Sequence, residues 1–585
     1  MSTVPLAGLD DAQLQAATAL RGPVCVLAGA GTGKTRVITH RIAHGVDTGA
    51  YSPSRVMAVT FTTKAAGELR GRLRALGVPG VAARTFHAAA LAQLNFFWPQ
   101  LAGGSAPSIV NGKVRMLAHA ADTLGFDPGP MALRDVAAEI EWRKVTMRSI
   151  EEYAVARPRG VAGLDLSQVV DLQRAYEKLK DERHQLDFED VLLACAGMIE
   201  TEPHVAAAVR EQYRHFTVDE FQDVSPVQYR LLELWLGERR DLCVVGDASQ
   251  TVYSFAGADP QFLVGFAERH PDARVVRLER NYRSDAAILA VANELMRDRP
   301  GALALVSAAG DEPGPTPTVA TYSDDAAEAA GVARAIAAQL AAGVDPESIA
   351  VLYRANSQSA PILAALADRQ IPATVLGGKR FFDLPEVRQA ILELRAATVA
   401  PLDTAFLPTV RDILRRAGLT DEAPPAGGAV RDAWEARAAI LRLAEESPEG
   451  TTLRAFTDDL IARAKDQHEP ALRTVTLATL HAAKGLEWDH VHLIGMAEGL
   501  LPISYANTLE TIDEERRLAY VGITRAARTL SLSWARGTGQ RERAVSRFVR
   551  EIGTGSLRAA DSRATSPARG GRGSSPTGPR GPGGR

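Results

Sequence analysis

The sequence predicts an α/β protein made of two α/β units in tandem, each interrupted by a helical insertion. Short apolar runs alternate with helical patterns in two separate parts of the chain, which is typical of parallel sheets covered by helices. Two long segments, at about residues 101–183 and 386–470, instead carry helical periodicity with few strand signals. The chain of 585 residues is also too long for one hydrophobic core.

The first unit opens with a phosphate-binding pattern. The apolar run Pro23 to Leu27 leads into the glycine-rich segment Ala28-Gly29-Ala30-Gly31-Thr32-Gly33-Lys34-Thr35, and a helical pattern begins at Arg36. Such a loop points backbone N–H groups and a helix N-terminus at polyphosphate. Lys34 offers a charge to the outer phosphates, and Thr35 offers a hydroxyl to Mg²⁺. The alternative is a loop that binds nothing, but the strand before it and the helix after it favour phosphate binding.

Two more strands of this unit, Arg55 to Val59 and Val81 to Arg84, are each followed closely by an aromatic ring. Phe61 follows the first of them and His87 the second. Ligands of an open parallel sheet sit beyond the carboxyl ends of its strands, so both rings are expected near the crevice. Phe61 is then either a core residue or a surface for a stacking partner, and His87 has either a structural or a functional role.

A pair of carboxylates follows the next apolar strand, His215 to Val218. Asp219 and Glu220 stand side by side at its end. One carboxylate of such a pair holds Mg²⁺, and the other takes a proton from the attacking water in ATPases with a phosphate-binding loop. The alternative is a solvated acidic turn; the preceding strand and the upstream glycine loop favour the catalytic interpretation.

Weaker candidates surround these two patterns. Gln250 follows a strand at Asp241 to Asp247 and precedes Tyr253 and Phe255, which could link a phosphate sensor to a stacking platform. Further on, Arg283 could reach a phosphate and Tyr282 could stack on a base. Gln13 lies in a short helix before the first strand, and that helix is either a simple amphipathic lead-in or part of the site.

The second unit repeats the α/β pattern without a glycine loop. Strands are predicted at Thr316 to Thr321, at Ile349 to Tyr353 and again from Val475. This arrangement suggests one nucleotide in a cleft, with arginines supplied by the second unit. From residue 553 the chain becomes rich in Ser, Pro, Gly and Arg and should be disordered. Such a basic tail either adds weak affinity for nucleic acid or only aids solubility.

Bulk composition excludes little. The net charge of -3 neither demands nor excludes nucleic acid, because a basic groove can hide in a neutral total. The three cysteines are far apart, which offers no disulfide or zinc pattern and fits a reducing cytosol. No stretch approaches the roughly 20 apolar residues of a membrane span. We therefore expect a cytoplasmic protein that binds no membrane.

Eleven short motifs, in this order, resemble the UvrD/Rep/PcrA family of superfamily 1 DNA helicases. They are AGAGTGKT, AVTFTTKAAGELRGRL, TFHA, LDFEDVLL, VDEFQDVSPVQ, VVGDASQTVYSFAGA, LERNYRSD, IAVLYRANSQS, GGKRFFDLPEV, TLHAAKGLEW and ERRLAYVGITRA. The similarity covers about residues 8–550, and the ASQT-YSFAGA motif resembles an actinobacterial UvrD-like subgroup. The family usually has Trp-Arg where this chain has Phe255-Ala256.

The resemblance implies two RecA-like P-loop NTPase domains in tandem, each with a helical insertion. It divides the chain into domain 1A at 1–100 and 184–285, insertion 1B at 101–183, domain 2A at 286–385 and 471–552, a short insertion 2B at 386–470, and a tail at 553–585. The cofactors implied are ATP and Mg²⁺.

The resemblance also implies a role for each site residue. Lys34, Glu220, Gln250, Arg283 and Arg525 would be catalytic, and Thr35 with Asp219 would hold Mg²⁺. ATP would be bound by Gln13, Ala28, Gly29, Ala30, Gly31, Thr32, Gly33, Lys34, Thr35, Arg36, Tyr282 and Glu487. Single-stranded DNA would lie along Phe61, His87, Phe188, Tyr253, Phe255, Asn356 and His481, because bases of any sequence stack on such rings.

The function implied is ATP-dependent 3′→5′ movement along single-stranded DNA, with unwinding of duplex DNA in repair or replication. Its partners would be single-stranded DNA, duplex junctions and repair proteins, which would associate the protein with the nucleoid. Two other functions remain open. One is a translocase that strips proteins from DNA but unwinds poorly, and the other is an ATP-switched DNA-binding adaptor. The motifs do not exclude RNA as the nucleic acid.

Overall fold

A computed structural model describes residues 6–310, 314–376, 382, 384–398, 405–420, 429–445, 447–448, 450–466, 473–537 and 542–560. Its strands are β1 (Val24–Ala28), β2 (Val56–Thr60), β3 (Ala82–Thr85), β4 (Ser108–Ile109), β5 (Gln185–Leu186), β6 (His215–Val218), β7 (Leu242–Gly246), β8 (Arg274–Leu278), β9 (Arg280–Asn281), β10 (Val306–Ser307), β11 (Thr318–Tyr322), β12 (Ile349–Tyr353), β13 (Ala373–Val375), β14 (Val475–Thr479), β15 (Trp488–Leu493), β16 (Ala526–Ala535) and β17 (Arg558–Ala559).

The helices of the described residues fall into four groups along the chain. Those that begin before residue 190 are α1 (Asp11–Thr18), α2 (Lys34–Asp47), α3 (Thr63–Ala75), α4 (Phe86–Ala102), α5 (Lys113–Leu124), α6 (Pro130–Val145), α7 (Ile150–Ala156), α8 (Leu166–Glu182) and α9 (Phe188–Thr201). Next come α10 (Pro203–Gln212), α11 (Pro226–Leu236), α12 (Gln261–Val264), α13 (Phe266–Arg269) and α14 (Ala286–Leu295). The third group is α15 (Asp325–Ala341), α16 (Ser359–Ala367), α17 (Pro385–Ala397), α18 (Phe406–Arg416), α19 (Ala429–Glu445) and α20 (Leu453–Asp466). The last two are α21 (Leu509–Ile523) and α22 (Arg547–Ile552).

The first large sheet has the strand order β3-β2-β6-β7-β1-β8, and every neighbouring pair is parallel. Strands β2, β6 and β7 are buried along their whole length. Apolar side chains cover both faces, as expected for a parallel sheet between helices. The sheet therefore forms a rigid base whose strand ends position the loops of the site.

The second large sheet has the order β13-β14-β12-β15-β16-β11-β17, again with parallel neighbours throughout. Helices α14, α21 and α22 pack on one face, and α15 and α16 pack on the other. The two parallel sheets confirm the predicted α/β class. The predicted strand at Ile349 to Tyr353 has the bounds that the structure gives to β12.

Helices fill both segments that interrupt the sheets. Helices α5 to α8 share a small apolar core of their own, and α17 to α20 share another. The first segment is not wholly helical, because Ser108 and Ile109 form strand β4, which pairs in parallel with β5. Two-residue strands leave too short a pattern to be recognised in a sequence.

The predicted disordered tail needs a correction at its start. Arg558 and Ala559 form strand β17, which pairs in parallel with β11 at the edge of the second sheet. Leu557 is buried there as well, so the edge of the sheet holds this part of the chain in place. The rest of the predicted tail, 561–585, lies outside the described residues, as does most of the GGKRFFD segment.

No helix among the described residues is both long and apolar enough to cross a lipid bilayer. The three cysteines are unpaired and buried, as expected for structural thiols inside apolar layers.

Candidate functional site

The glycine-rich loop connects the end of β1 to the start of α2. Gly33 is the N-cap of α2 and has a φ of 83°, a backbone conformation that favours glycine, and it offers no side chain to the first turn. Ala28 and Gly29 are buried at its base. A Cβ on Gly31, whose φ is +68°, would lie 2.6 Å from Asn281 Nδ2. The first turn of α2 therefore keeps its backbone N–H groups free for an anion.

A cleft of about 360 Å³ opens above this loop. Residues of both α/β units line it, which are Gly29, Ala30, Gly31, Thr32, Gly33, Lys34, Thr35, Arg36, Arg72, Glu220, Gln250, Tyr282, Arg283, Gly485, Glu487 and Arg525. The structure thus brings together most of the predicted ATP-binding and catalytic residues. Arg72 and Gly485 were not predicted; they come from the helix after β2 and from the TLHAAKGLEW motif.

One end of the cleft carries the residues predicted to bind the base. Gln13 is buried, and its Nε2 donates to the Thr32 carbonyl at 3.0 Å. The Tyr282 hydroxyl donates to Asp10 Oδ2 at 2.5 Å, while 52% of Tyr282 stays exposed. Arg36 donates to the Gly8 carbonyl at 2.9 Å. Helix α1 is therefore fastened to the glycine loop, with an aromatic ring and a guanidinium group at the opening.

Two carboxylates, Asp219 and Glu220, directly follow β6, and of these Glu220 lines the cleft. Glu220 Oε1 lies 3.8 Å from Lys34 Nζ, and Glu220 Oε2 accepts from Gln222 Nε2 at 2.6 Å. Burial works to raise the pKa of Glu220, but Lys34 and Lys484 outweigh it and lower that pKa to about 2. Burial, and then the charge of Glu220, raise the pKa of Asp219 to about 7. The pair thus holds one firmly ionised carboxylate, Glu220, and one, Asp219, whose charged form is disfavoured by burial and by its neighbour.

Two arginines line the facing wall: Arg525 comes from the second unit, and Arg283 comes from the end of the first unit's part of the chain. Arg525 is 2% exposed, and its Nη2 lies 3.4 Å from Gln250 Oε1 across the cleft. Burial, and then the neighbouring charge of Arg283, lower the pKa of Arg525 to about 9. Arg283 Nε donates to Glu487 Oε2 at 2.5 Å. Two crowded positive charges aimed at the glycine loop are suited to a polyanion.

Three residues that the sequence reasoning assigned no role join the two units beside this cleft. Lys484 Nζ donates to the Asp223 carboxylate and, at 2.8 Å, to the Gln250 carbonyl. Arg517 Nε donates to the Thr251 carbonyl at 2.8 Å, and Glu514 Oε1 accepts from the Ser254 backbone N–H at 3.1 Å. Lys484 and Arg517 lie inside the quoted motifs, so their position was visible, but their partners are too distant in sequence to be inferred.

Aromatic side chains of the predicted DNA set form two groups outside the lining of the cleft, one with His87 and Phe188 and the other with Phe255 and His481. His87 and Phe188 stack with ring centroids 3.8 Å apart, and Phe61 lies against the core beside Phe86. The ring centroids of Phe255 and His481 lie 5.9 Å apart, although the two residues belong to different units. Burial lowers the pKa of both His87 and His481 to about 4, so both rings are neutral at pH 7.

The two remaining residues of the predicted DNA set occupy different positions. Tyr253 lies 6.2 Å from Phe255, and Lys484 Nζ lies 5.1 Å from its ring centroid, so Tyr253 belongs with the second group of rings. Asn356 is exposed in the 3-10 turn Asn356–Gln358, after β12. Tyr353 at the end of β12 pairs in parallel with Thr479 at the end of β14, so this turn and His481 follow neighbouring strands at the same edge of the second sheet.

Comparison with known proteins agrees with this architecture. The family described as the UvrD/REP helicase N-terminal domain matches residues 9–271. The family described as the UvrD-like helicase C-terminal domain matches residues 276–411 and 438–537. Together these matches include every residue of the cleft and of the aromatic groups.

Curated relatives are similar over almost the whole chain. ATP-dependent DNA helicase UvrD2 of Mycobacterium tuberculosis is 46% identical over 573 residues, which cover 94% of this chain and 82% of the relative. ATP-dependent DNA helicase Rep of Escherichia coli is 30% identical and covers 93% and 94%. ATP-dependent DNA helicase PcrA of Bacillus subtilis is 28% identical and covers 91% and 83%. This chain therefore belongs to the UvrD/Rep family of helicases.

Proposed function

We propose that this chain is an ATP-dependent DNA helicase that moves 3′→5′ along single-stranded DNA and unwinds the duplex ahead of it. The observation that carries the proposal is the position of Gln250. Its side chain faces Arg525 in the phosphate cleft, and three residues later Tyr253 begins the aromatic group. A change at the phosphate end of ATP can therefore reach the bases through one short segment.

The residues of the cleft fit ATP from end to end. Tyr282 and Arg36 would flank the adenine, and Gln13 would read its edge from its place on the Thr32 carbonyl. The free backbone N–H groups of residues 29–33 would bind the phosphates, with Lys34 on the outermost ones. Glu487 would bind the ribose or couple closure of the cleft to DNA, since it already accepts a hydrogen bond from Arg283.

Mg²⁺ fits the donors that the chain offers. Thr35 and Asp219 supply hydroxyl and carboxylate oxygens, which are the ligands that Mg²⁺ prefers alongside water and phosphate. A cation bound beside Asp219 would offset the burial and the charge of Glu220, which together raise the pKa of Asp219. When bound, Mg²⁺ would neutralise charge on the outer phosphates.

Hydrolysis would depend on Glu220 and the arginines. Glu220 is ionised at pH 7, and Gln222 fixes one of its oxygens, so the other can take a proton from an attacking water. Arg525 and Arg283 would stabilise the charge that develops on the transferred phosphoryl group, and Gln250 would sense its departure. Because Arg525 belongs to the second unit, hydrolysis would be fast only when the cleft is closed.

DNA would bind across both units on the aromatic groups. Each stacked base contributes about 1–3 kcal/mol whatever its identity, which suits a motor that must pass every sequence. Phe61 of the first unit and Asn356 of the second unit would add further contacts to the DNA. Alternating grip by the two units, opened and closed by ATP, would then give directional movement.

We also propose the division of the chain given by the family resemblance. The units at 1–100 with 184–285 and at 286–385 with 471–552 would be domains 1A and 2A, with 1B at 101–183 and a short 2B at 386–470. Duplex junctions and repair proteins are the partners that we propose for it.

Strand displacement tests the function. Duplexes with either a 3′ or a 5′ single-stranded tail are incubated with ATP and wild-type protein, Glu220→Gln, or the matched control Glu238→Gln at an exposed loop position. We expect unwinding only from the 3′ tail, lost in Glu220→Gln and kept in the control. Unwinding from the 5′ tail contradicts the polarity. DNA-stimulated hydrolysis without displacement would instead support a translocase that strips proteins from DNA.

A further inference from the structure

A buried cluster of charges joins the first helical insertion to the first α/β unit. Its centre is Lys144 on α6, whose side chain is 2% exposed and whose Nζ donates to Asp187 Oδ2 at 2.6 Å and to Asp190 Oδ1 at 2.7 Å. Lys180 on α8 pairs with Asp190 as well. Burial works to raise the pKa of Asp187, but Lys144 and Lys180 outweigh it and hold that pKa well below its usual range. These are true buried charges, which are tolerated only while their partners stay in place.

Asp187 is also the N-cap of α9. Its side chain accepts from the Asp190 backbone N–H, and Asp190 in turn accepts from the Asp187 backbone N–H, which forms a capping box. The next residue is Phe188, which is 55% exposed and stacks on His87. The same carboxylate that binds Lys144 therefore sets where α9 begins and how Phe188 is presented.

The residue after Lys144 touches the other aromatic group. A Cβ added to Gly257 would lie 2.5 Å from Val145 Cγ2, so Val145 packs directly on the backbone at Gly257. Gly257 closes the 3-10 turn Ser254–Ala256, in which Phe255 is exposed. The last turn of α6 thus contacts the cap below Phe188 through Lys144 and the turn that carries Phe255 through Val145.

This turn is held on its other side by the second α/β unit. Glu514 on α21 accepts from the Ser254 backbone N–H, and Arg517 donates to the Thr251 carbonyl. Helix α21 leads directly to Arg525 in the cleft. The turn Ser254–Ala256 therefore lies between the end of α6 and helix α21, which leads to Arg525 in the cleft.

We propose that Lys144 is a positioning residue for movement along DNA: through Asp187 it fixes the Phe188–His87 pair relative to the turn that carries Tyr253 and Phe255. The end of α6 is then the fixed reference against which α21 shifts that turn when the cleft closes. This inference rests on the proposed function, because it gives the two aromatic groups their role in stepping.

The main test removes the contact between Lys144 and Asp187, while Lys180 stays paired with Glu177 and Asp190. In the double variant Lys144→Met with Asp187→Asn, one charge of each sign is removed, and asparagine still caps α9. The matched control is Lys113→Met with Glu189→Gln, a second pair between the insertion and α9 with Nζ and Oε2 2.6 Å apart. Arrival of the protein at the labelled 5′ end of oligo(dT) and release of phosphate are measured together, which gives ATP consumed per nucleotide travelled.

We expect the double variant to consume about 2- to 30-fold more ATP per nucleotide, the fold-change that corresponds to coupling changes of about 0.5–2 kcal/mol. Hydrolysis without DNA should stay at the wild-type rate, and the control pair should keep the wild-type ratio. A purely structural role would lower all rates together without changing this ratio. A wild-type ratio in the double variant, or an equal rise in the control, overturns the proposal.

A second variant reaches the same link from its other end and keeps every charge. Val145→Ala removes the contact with Gly257 and should also raise ATP use per nucleotide. It decides the question if the double variant does not fold, and a wild-type ratio in Val145→Ala then overturns the proposal. Wild-type protein that does not move along oligo(dT) contradicts the proposed function itself. Wild-type protein that moves, with variants that match it, contradicts only the role of Lys144.

Discussion

The two α/β units have the same strand topology. Apart from the extra edge strand β13, the second sheet reads β14-β12-β15-β16-β11-β17 and the first reads β3-β2-β6-β7-β1-β8. When the two sheets are aligned in this way, their strands follow the same order along the chain. Strand β11 therefore corresponds to β1, and β15 corresponds to β6. Two sheets of one design therefore carry different chemistry, and the difference must lie in their loops.

The loop after the first strand shows this difference. After β1, a glycine loop leaves the start of α2 open. After β11, Asp324 caps α15, and its side chain accepts from the Ala327 backbone N–H. Glu328 in the first turn accepts from the Gly495 backbone N–H and the Ser533 hydroxyl. Carboxylates therefore occupy the N-terminus of α15 in the second unit. They repel phosphate and make hydrogen bonds within the fold instead.

The two sheets also face the cleft with opposite ends of their strands. The glycine loop, Asp219 and Gln250 follow the strands of the first sheet. Glu487 and Arg525 instead directly precede β15 and β16 of the second sheet. A parallel sheet can thus bind a nucleotide with the carboxyl ends of its strands, while a second sheet of the same topology presents Arg525 and Glu487 from the opposite ends.

The largest expected effect is at the carboxylate of the first unit. Glu220→Gln should lower DNA-stimulated ATP hydrolysis by about 10²- to 10⁴-fold, because a general base is lost. Asp324→Asn, at a loop of the second sheet, should leave hydrolysis unchanged. Phosphate release with excess oligo(dT) measures both. Equal losses in the two variants would mean that the units do not divide the chemistry as proposed.

The next effect concerns Arg525, the arginine that the second unit contributes to the cleft. Arg525→Ala should lower the maximal hydrolysis rate by about 10²- to 10³-fold, since a positive group aimed at the transition state is removed. Arg528→Ala is the matched control, because Arg528 is exposed and lies 3.4 Å from Asp489 at the surface. Steady-state kinetics with DNA present compares the two. Full activity in Arg525→Ala would contradict the supply of catalytic charge by the second unit.

A smaller effect is expected at the aromatic groups that both units share. Phe255→Ala should weaken binding of oligo(dT) by about 1–3 kcal/mol, the contribution of one stacked base. Phe96→Ala, which removes another exposed ring from the first unit, should bind as the wild type does. Fluorescence anisotropy without ATP measures the affinity. Undiminished binding in Phe255→Ala would place the DNA elsewhere.

The smallest effect tests the helix start of the second unit. Asp324→Ala should lower the free energy of unfolding by about 1 kcal/mol, because an N-cap is lost. Asp324→Asn should keep the cap and the stability. Urea denaturation followed by circular dichroism measures both variants. A change in the KM for ATP, rather than in stability, would mean that this loop takes part in nucleotide binding after all.

Sequence reasoning succeeded where one segment contains all that a feature needs. Strand, glycine loop and helix are contiguous from Val24 to Asp47, and the acidic pair follows β6 directly. It failed where a feature needs a distant partner. Nothing near Lys484 indicates Asp223, and nothing near Lys144 indicates Asp187, because the fold alone brings these pairs together.

Short edge strands were missed for a related reason. Strand β13 has three residues, and β17 has two in a stretch dominated by small and polar residues. Neither has room for a periodic pattern, so only pairing with β14 and β11 makes them strands.

The placement of β1 has a consequence for synthesis on the ribosome. This strand lies between β7 and β8, both made much later, and pairs with no strand made close to it in time. At about 5–20 residues per second, Val24 to Ala28 waits on the order of ten seconds or longer for its first neighbour. During that interval an apolar strand with two open edges is available to any passing chain. The nascent protein is therefore most in need of a chaperone while its nucleotide-binding strand is still alone.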